Sequence, residues 1–250
     1  MQGSERLPPA PIADARAARD VAAVAPAATA PPTATPPAAA PPAVAASPGA
    51  TGAPDAAVHP INSKRFEDLR GEYGDFFDRC RLRAEFAGNV EFYVSRLIRF
   101  RATYQQLGDS LGIPWVFIGV VHAMECGFNF GTHLHNGDPL AARTVHVPKD
   151  RPATGQPPFT WLESARDALV MKGLDKVGDW SLPRILYQIE AYNGFGYRPH
   201  DVPSPYLWSF STLYRSGKFV ADGAFDPNAV SKQCGAALML RTLQERGAVS

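Results

Sequence analysis

The residue of this chain best suited to acid chemistry is Glu125. It closes the run Ile113-Pro-Trp-Val-Phe-Ile-Gly-Val-Val-His-Ala-Met124 and opens Glu125-Cys126-Gly127-Phe128-Asn129-Phe130. The run predicts a buried helix entered through Pro114, because a proline at the first turn gives up an N–H that has no helical partner anyway. A carboxylate held against apolar surface is poorly solvated when ionised. Its pKa is then expected to rise toward neutral, so that it stays protonated and acts as a general acid. The plain alternative is a helix-end glutamate with its head in water.

A second acid, Asp138, lies thirteen residues further on in the turn Asn136-Gly137-Asp138-Pro139. Across a cleft from Glu125 it could position a water, as the paired carboxyls of inverting glycosidases do at about 6.5–9.5 Å. An Asp in such a turn can equally cap its own backbone. His122, His133, His135 and His146 raise a third possibility, a metal-dependent hydrolase. The spacing is not His-Glu-x-x-His, and one helix with one His offers one ligand rather than an i, i+4 pair, so no metal and no cofactor are expected. His122 then either tunes Glu125 or is a core histidine. Glu163 is read differently: Thr160-Trp-Leu-Glu163 is a capping box, so this acid is assigned to helix initiation.

Helical spacing supplies the elements that must hold these groups. Phe66, Leu69, Tyr73, Phe76, Phe77 and Cys80 fall on one face of a helix starting at Asn62 or Ser63. A second helix is predicted over residues 89–107, with Val90, Tyr93, Leu97, Ile98 and Tyr104 inward. After Glu125 comes a long irregular stretch, residues 131–158, of the kind that is functional or mobile. Gly173 closes the capping-box helix, and Ser181 caps the next, Leu182 to Asn193, which Gly194 ends. A hairpin turning at Asp222-Gly223 and a last helix started by Asp226-Pro227 complete the chain.

Composition divides the 250 residues in two. Residues 1–60 hold 13 of the 24 prolines and no aromatic side chain, which predicts a disordered Ala/Pro-rich tether. Residues 61–250 carry every Trp, Tyr and Phe, enough for one domain with a full core. A net charge of +1 gives no electrostatic case for nucleic acid. Cys80, Cys126 and Cys234 are odd in number and form no CxxC pair, so they read as small buried hydrophobes rather than a disulfide or zinc framework. No run approaches the roughly 18–20 apolar residues of a membrane span. The only candidate signal core, residues 21–30, is interrupted by Pro26, so a conventional cleaved signal peptide is not expected.

The helix ending in Glu125-Cys126-Gly127-Phe128-Asn129 resembles the catalytic helix of lytic transglycosylases and goose-type lysozymes. Ala191-Tyr192-Asn193-Gly194, about seventy residues downstream, resembles the Ala-Tyr-Asn-Ala-Gly element of that superfamily in the same order. The stretches 132–139 and 218–235 are similar to a bacterial and phage lysozyme-like branch. The family's Gly-Leu-Met-Gln strand has no counterpart; residues 142–148 occupy its place.

The resemblance implies a mainly α, lysozyme-like (α+β with minimal β) fold that cleaves the MurNAc-GlcNAc β-1,4 bond of peptidoglycan. Action is then at the cell wall or periplasm, by a monomer whose partner is the glycan strand. Glu125 would be the acid and Asp138 its companion if the reaction is hydrolysis. With a single carboxylate the muramic side closes to a 1,6-anhydro product instead. Tyr192 and Asn193 would offer a hydroxyl and an amide to the sugar or to Glu125. Tyr206, Trp208 and Tyr197 would form the cleft wall, and Thr132, Asn136 and Thr144 would bind hydroxyl or N-acetyl groups. Two rival readings remain: a metal-dependent cell-wall hydrolase using the His cluster, and a non-catalytic peptidoglycan-binding module.

Overall fold

The computed structural model describes residues 58–249. The proposed tether, residues 1–60, therefore lies outside the described residues except for its last three. The chain is mainly α, in the order α1 Phe66–Arg79, α2 Ala87–Arg99, α3 Arg101–Leu111, α4 Trp115–Cys126, α5 Trp161–Met171, α6 Leu182–Asn193, α7 Pro205–Trp208 and α8 Ala236–Glu245. Between α7 and α8 stands one two-stranded antiparallel sheet, β1 Lys218–Ala221 and β2 Ala224–Asp226. Among the described residues no single helix is long and apolar enough to cross a membrane.

Helix α4 is the centre of the packing. Every residue from Trp115 to Met124 is buried, and α2, α3, α6 and α8 all pack against it. Fully burying one large apolar side chain stabilises the fold by about 1.5–3 kcal/mol, so a helix apolar on all sides has only one place to go. Gly119 lets the neighbours come close: a β-carbon there would lie 2.8 Å from a Leu97 methyl and 2.9 Å from the Tyr104 ring. The helix ends where Gly127 takes a left-handed conformation, φ 56°, and its N–H bonds the Ala123 carbonyl.

Several expected boundaries hold. The capping box is present, with the Thr160 hydroxyl accepting from the Glu163 N–H and the Glu163 carboxylate accepting from the Thr160 N–H at 2.7 Å. Helix α6 ends at Asn193 before Gly194, and the hairpin turns at Asp222-Gly223 with Gly223 at φ 67°.

Others shift, for local reasons. Helix α1 starts at Phe66, because the Ser63 hydroxyl turns back to accept from the Arg65 N–H. The helix expected over 89–107 breaks at Phe100, φ −98° and ψ 8°, into α2 and α3. The Phe100 ring packs 4.9 Å from Phe130 and 6.3 Å from Phe128, and that tertiary contact overrides helical continuity. Ile98, expected inward, is 41 % exposed as a result. Ser181 holds the N-cap position, but its hydroxyl donates to Asp179 instead of capping α6. The last helix starts at Ala236 and not at Asp226-Pro227; Asp226 ends β2 and its carboxylate accepts from the Asn228 N–H at 2.8 Å, a turn rather than a cap.

Gly235, just before α8, fixes the position of α7. A β-carbon there would sit 2.4 Å from the Leu207 carbonyl oxygen and 2.7 Å from the Ser209 nitrogen, both main-chain atoms that cannot swing aside. Gly235→Ala is expected to cost about 1–3 kcal/mol. Urea unfolding should show this as a lower midpoint at unchanged slope.

Candidate active site

Glu125 stands on the last turn of α4 and is half-buried. The Tyr206 hydroxyl donates to its Oε1 at 2.7 Å. Tyr206 reaches it because the two residues that follow it pin α7: Leu207 is fully buried and the Trp208 ring packs edge-on against Phe76 at 5.6 Å. Trp208 is thus a core residue and not the expected cleft wall. The Tyr206 ring is buried too, so Tyr206 contributes through its hydroxyl and not through a sugar-stacking face.

Gln233, which the sequence reading passed over, donates its side-chain amide to the Met124 carbonyl at 2.8 Å. A helix leaves its last four carbonyls without intrahelical partners, and this one belongs to the peptide that carries Glu125. Only the place of Gln233 in the stretch resembling lysozyme-like proteins hinted at a role.

The ends of α4 and α6 meet across the loop residues His133 and Leu134. The Cys126 thiol lies 3.6 Å from the His133 carbonyl, and the Tyr192 hydroxyl donates to the Leu134 carbonyl at 3.3 Å. Tyr192, expected to serve the sugar or Glu125, thus donates to the loop backbone, and its ring carries the Lys172 ammonium at 4.1 Å. Asn193 is half-buried on the last turn of α6. Tyr197 is buried beneath the hairpin, its ring 5.1 Å from Phe219, and it is a packing residue here rather than a groove residue.

Asp138 organises the loop. Its Oδ2 accepts from the Val145 and His146 amides at 2.9 and 3.0 Å and from the Asn136 side chain at 3.1 Å, while Oδ1 takes the His146 ring nitrogen at 2.6 Å. Burial alone would raise its pKa, but the His146 amide and imidazole and the Val145 amide outweigh that and hold it down at about 2. Its geometry is that of a loop staple, the capping alternative. Asn136 and Thr144, expected to face the sugar, are buried and turned to the same purpose. Asn136 bonds Asp138 and the His146 carbonyl; the Thr144 hydroxyl donates to the Pro148 carbonyl and accepts from the Arg151 N–H. Thr132 is half-buried and bridges to Pro139, its hydroxyl donating to the Asn129 carbonyl at 3.1 Å.

The histidines face separate partners. His122 lies between the Tyr104 hydroxyl at 3.0 Å and the Asn129 carbonyl at 3.2 Å. His133 sits between Ser164 and the Ala142 carbonyl, and His135 meets Asp167 at 2.7 Å. His146 is tied to Asp138. Among the described residues no three His, Cys, Asp or Glu side chains come together as a group that could hold a metal ion.

Comparison of the chain with family models, with curated proteins and with solved structures returned no match, so the site is read from its own geometry.

Burial pushes the His122 and His135 imidazoles down to about 4, the Asn129 carbonyl and the Asp167 carboxylate only partly opposing it. The unfolded chain binds a proton on each below about pH 6.5, while the folded chain refuses it until about 4, so folding stability falls as pH drops through that window. Asp138, held at about 2, adds a further loss between about pH 4 and 2. The thermal midpoint is expected to fall by several degrees between pH 7 and 5, and further below pH 4. A midpoint flat from pH 7 to 4.5 would contradict buried, neutral imidazoles.

Proposed function

We propose that the chain is a lysozyme-like enzyme that cleaves the glycan strand of bacterial peptidoglycan, with Glu125 as its general acid. The observation that carries this is the Tyr206 hydroxyl on Glu125 Oε1 at the end of the buried helix. The meeting of that helix end with the Tyr192-bearing end of α6 across a loop supports it.

With Oε1 accepting from Tyr206, the transferable proton of Glu125 sits on Oε2. It passes to the oxygen bridging C1 of N-acetylmuramic acid and C4 of N-acetylglucosamine as the C1–O bond breaks and positive charge develops on C1. The Tyr206 phenol then stabilises the carboxylate that remains. Gln233 keeps the peptide before Glu125 in place while this happens.

The commitment of Asp138 to four loop donors favours the route with one carboxylate. In that route Glu125 takes the proton of the muramic C6 hydroxyl as O6 bonds C1. A 1,6-anhydro product forms, and the acid returns to its starting state without consuming water. Hydrolysis with Asp138 as water-positioning base is the alternative, and it requires Asp138 to leave those partners.

Glu125→Gln keeps size and removes the proton; turnover of purified peptidoglycan is expected to fall by about 10³-fold with binding to the wall retained. Tyr206→Phe should cost about 10- to 100-fold, the loss of one hydrogen bond to a charged group. Mass spectrometry of the released muropeptides should show products lighter by one water. Undiminished activity in Glu125→Gln would overturn the assignment, and wall binding without turnover in the parent would favour the non-catalytic module.

A further inference from the structure

We infer that two arginines on α2 that lie over aromatic rings, Arg96 and Arg99, receive the carboxylates of the peptide stems that peptidoglycan carries on its muramic residues. This rests on the glycan-cleavage reading and names a part of the substrate that Glu125 does not touch.

Arg96 holds its guanidinium 4.3 Å from the centre of the Phe92 ring and 5.9 Å from that of Phe128. Arg99 lies 5.6 Å from the Phe100 ring centre. The Phe128 and Phe100 rings are 6.3 Å apart, which joins the two arginines through one aromatic cluster. Phe128 follows Glu125 by three residues, in a left-handed conformation at φ 66° that a side-chain-bearing residue rarely takes, so the cluster begins at the end of the proposed catalytic helix.

The charge on this face is unmatched. Among the described residues no carboxylate lies within 4.0 Å of Arg96 or Arg99, a lack they share with other arginines such as Arg65 and Arg70; what sets these two apart is that both lie over rings of one aromatic cluster. The acid of the same helix, Glu91, is already paired with Arg246. Both arginines are exposed, and Phe92 is 50 % exposed. A guanidinium held over a ring by cation–π attraction still has N–H groups to offer, and its planar fork grips a carboxylate with two parallel hydrogen bonds. A bare sugar would use the Phe92 ring and leave both charges idle. A chain bearing several carboxylates beside the sugar uses all of the face, and peptide stems attached to each muramic lactyl group have that chemistry.

The test compares the full-length parent with the double variant Arg96→Gln/Arg99→Gln on two substrates: purified peptidoglycan free of phosphate polymers, and the same material stripped of its stems by an amidase and then amidated at the lactyl carboxyls that this exposes, so that the stripped strand carries no carboxylate. The reading is the ratio of kcat/KM on intact over stripped strands. The parent is expected to prefer intact strands by about tenfold, and the double variant to lose that preference. A parent without preference, or a variant that loses equally on both substrates, overturns the proposal while leaving glycan cleavage standing. If the parent cleaves neither substrate, the cleavage reading fails. Co-sedimentation with the two substrates then tests the arginines alone: a stem-dependent affinity lost in the double variant supports them, and equal binding overturns them. Binding that tracks added phosphate polymer instead of stems overturns the peptide assignment.

Discussion

One buried charge sets the frame on which the rest is hung. Arg198 lies almost wholly out of solvent between Glu190 on α6 and Glu72 on α1, with N–O distances of 2.7 and 2.8 Å, and it also donates to the Ile61 carbonyl and the Tyr73 hydroxyl. Tyr73 in turn donates to Glu190 at 2.6 Å; burial and the Glu190 charge drive its phenol far above its usual range, so it keeps its proton and remains a donor. Such a cluster need not be a net source of stability, since desolvating three charges offsets their attraction. Removing any one member, however, strands the others in a medium that cannot solvate them, at about 3–5 kcal/mol. The consequence is geometric. Helices α1 and α6 and the turn after α6 have one mutual arrangement, and Tyr192, two residues past Glu190, inherits it.

The second constraint is α4. Ten consecutive buried residues leave this helix no freedom to rotate or slide, and Glu125 follows directly after them. The left-handed turn at Gly127 ends the helix, and two segments distant in sequence then converge on it: the Gln233 amide before α8 and the Tyr206 hydroxyl on α7. The close approach of Gly235 to the backbone of α7 brings the last two together. A proton donor needs a fixed direction more than it needs many partners, and the packing supplies direction without burying the acid completely.

What could be read from the sequence follows from which forces are local. The apolar run of α4, the capping box at Thr160, the Asn193-Gly194 stop and the Asp222-Gly223 turn depend on neighbours within a few residues, and the fold keeps all four. The break at Phe100 and the burial of Trp208 and Tyr197 depend on rings contributed from elsewhere, so periodicity and residue type alone could not place them. Tyr206, expected as a sugar-stacking wall, is buried and meets Glu125 through its hydroxyl, because an aromatic side chain shows its stacking face in any sequence but its hydroxyl partner only in three dimensions. Glu190 shows the limit from the other side. It follows Leu186 by four residues on the buried face of α6, the same misfit of acid and apolar surface that drew attention to Glu125, and it is the more deeply buried of the two. Burial pushes the Glu190 carboxyl up, the Arg198 guanidinium eight residues on only partly opposes it, and the carboxylate is committed to that arginine and to the Tyr73 hydroxyl.

The same reasoning separates Asp138 from Glu125. A stretch of more than thirty residues between α4 and α5 carries no helix or strand, so its amides cannot satisfy one another in a ladder and must find acceptors elsewhere. Asp138 collects the Val145 and His146 amides, and Asp167 on α5 collects the Ala153 amide, the Arg151 guanidinium and the His135 ring. Acids in such a loop are required by the backbone before any substrate is considered. Beside Glu125 the Gly127 amide is taken by the Ala123 carbonyl and the Asn129 amide by the Cys126 carbonyl, so the helix end itself supplies acceptors that the loop lacks. An acid placed by a buried helix and met there by a phenol is held in one direction by packing, and that is the physical reason to look for the chemistry at Glu125.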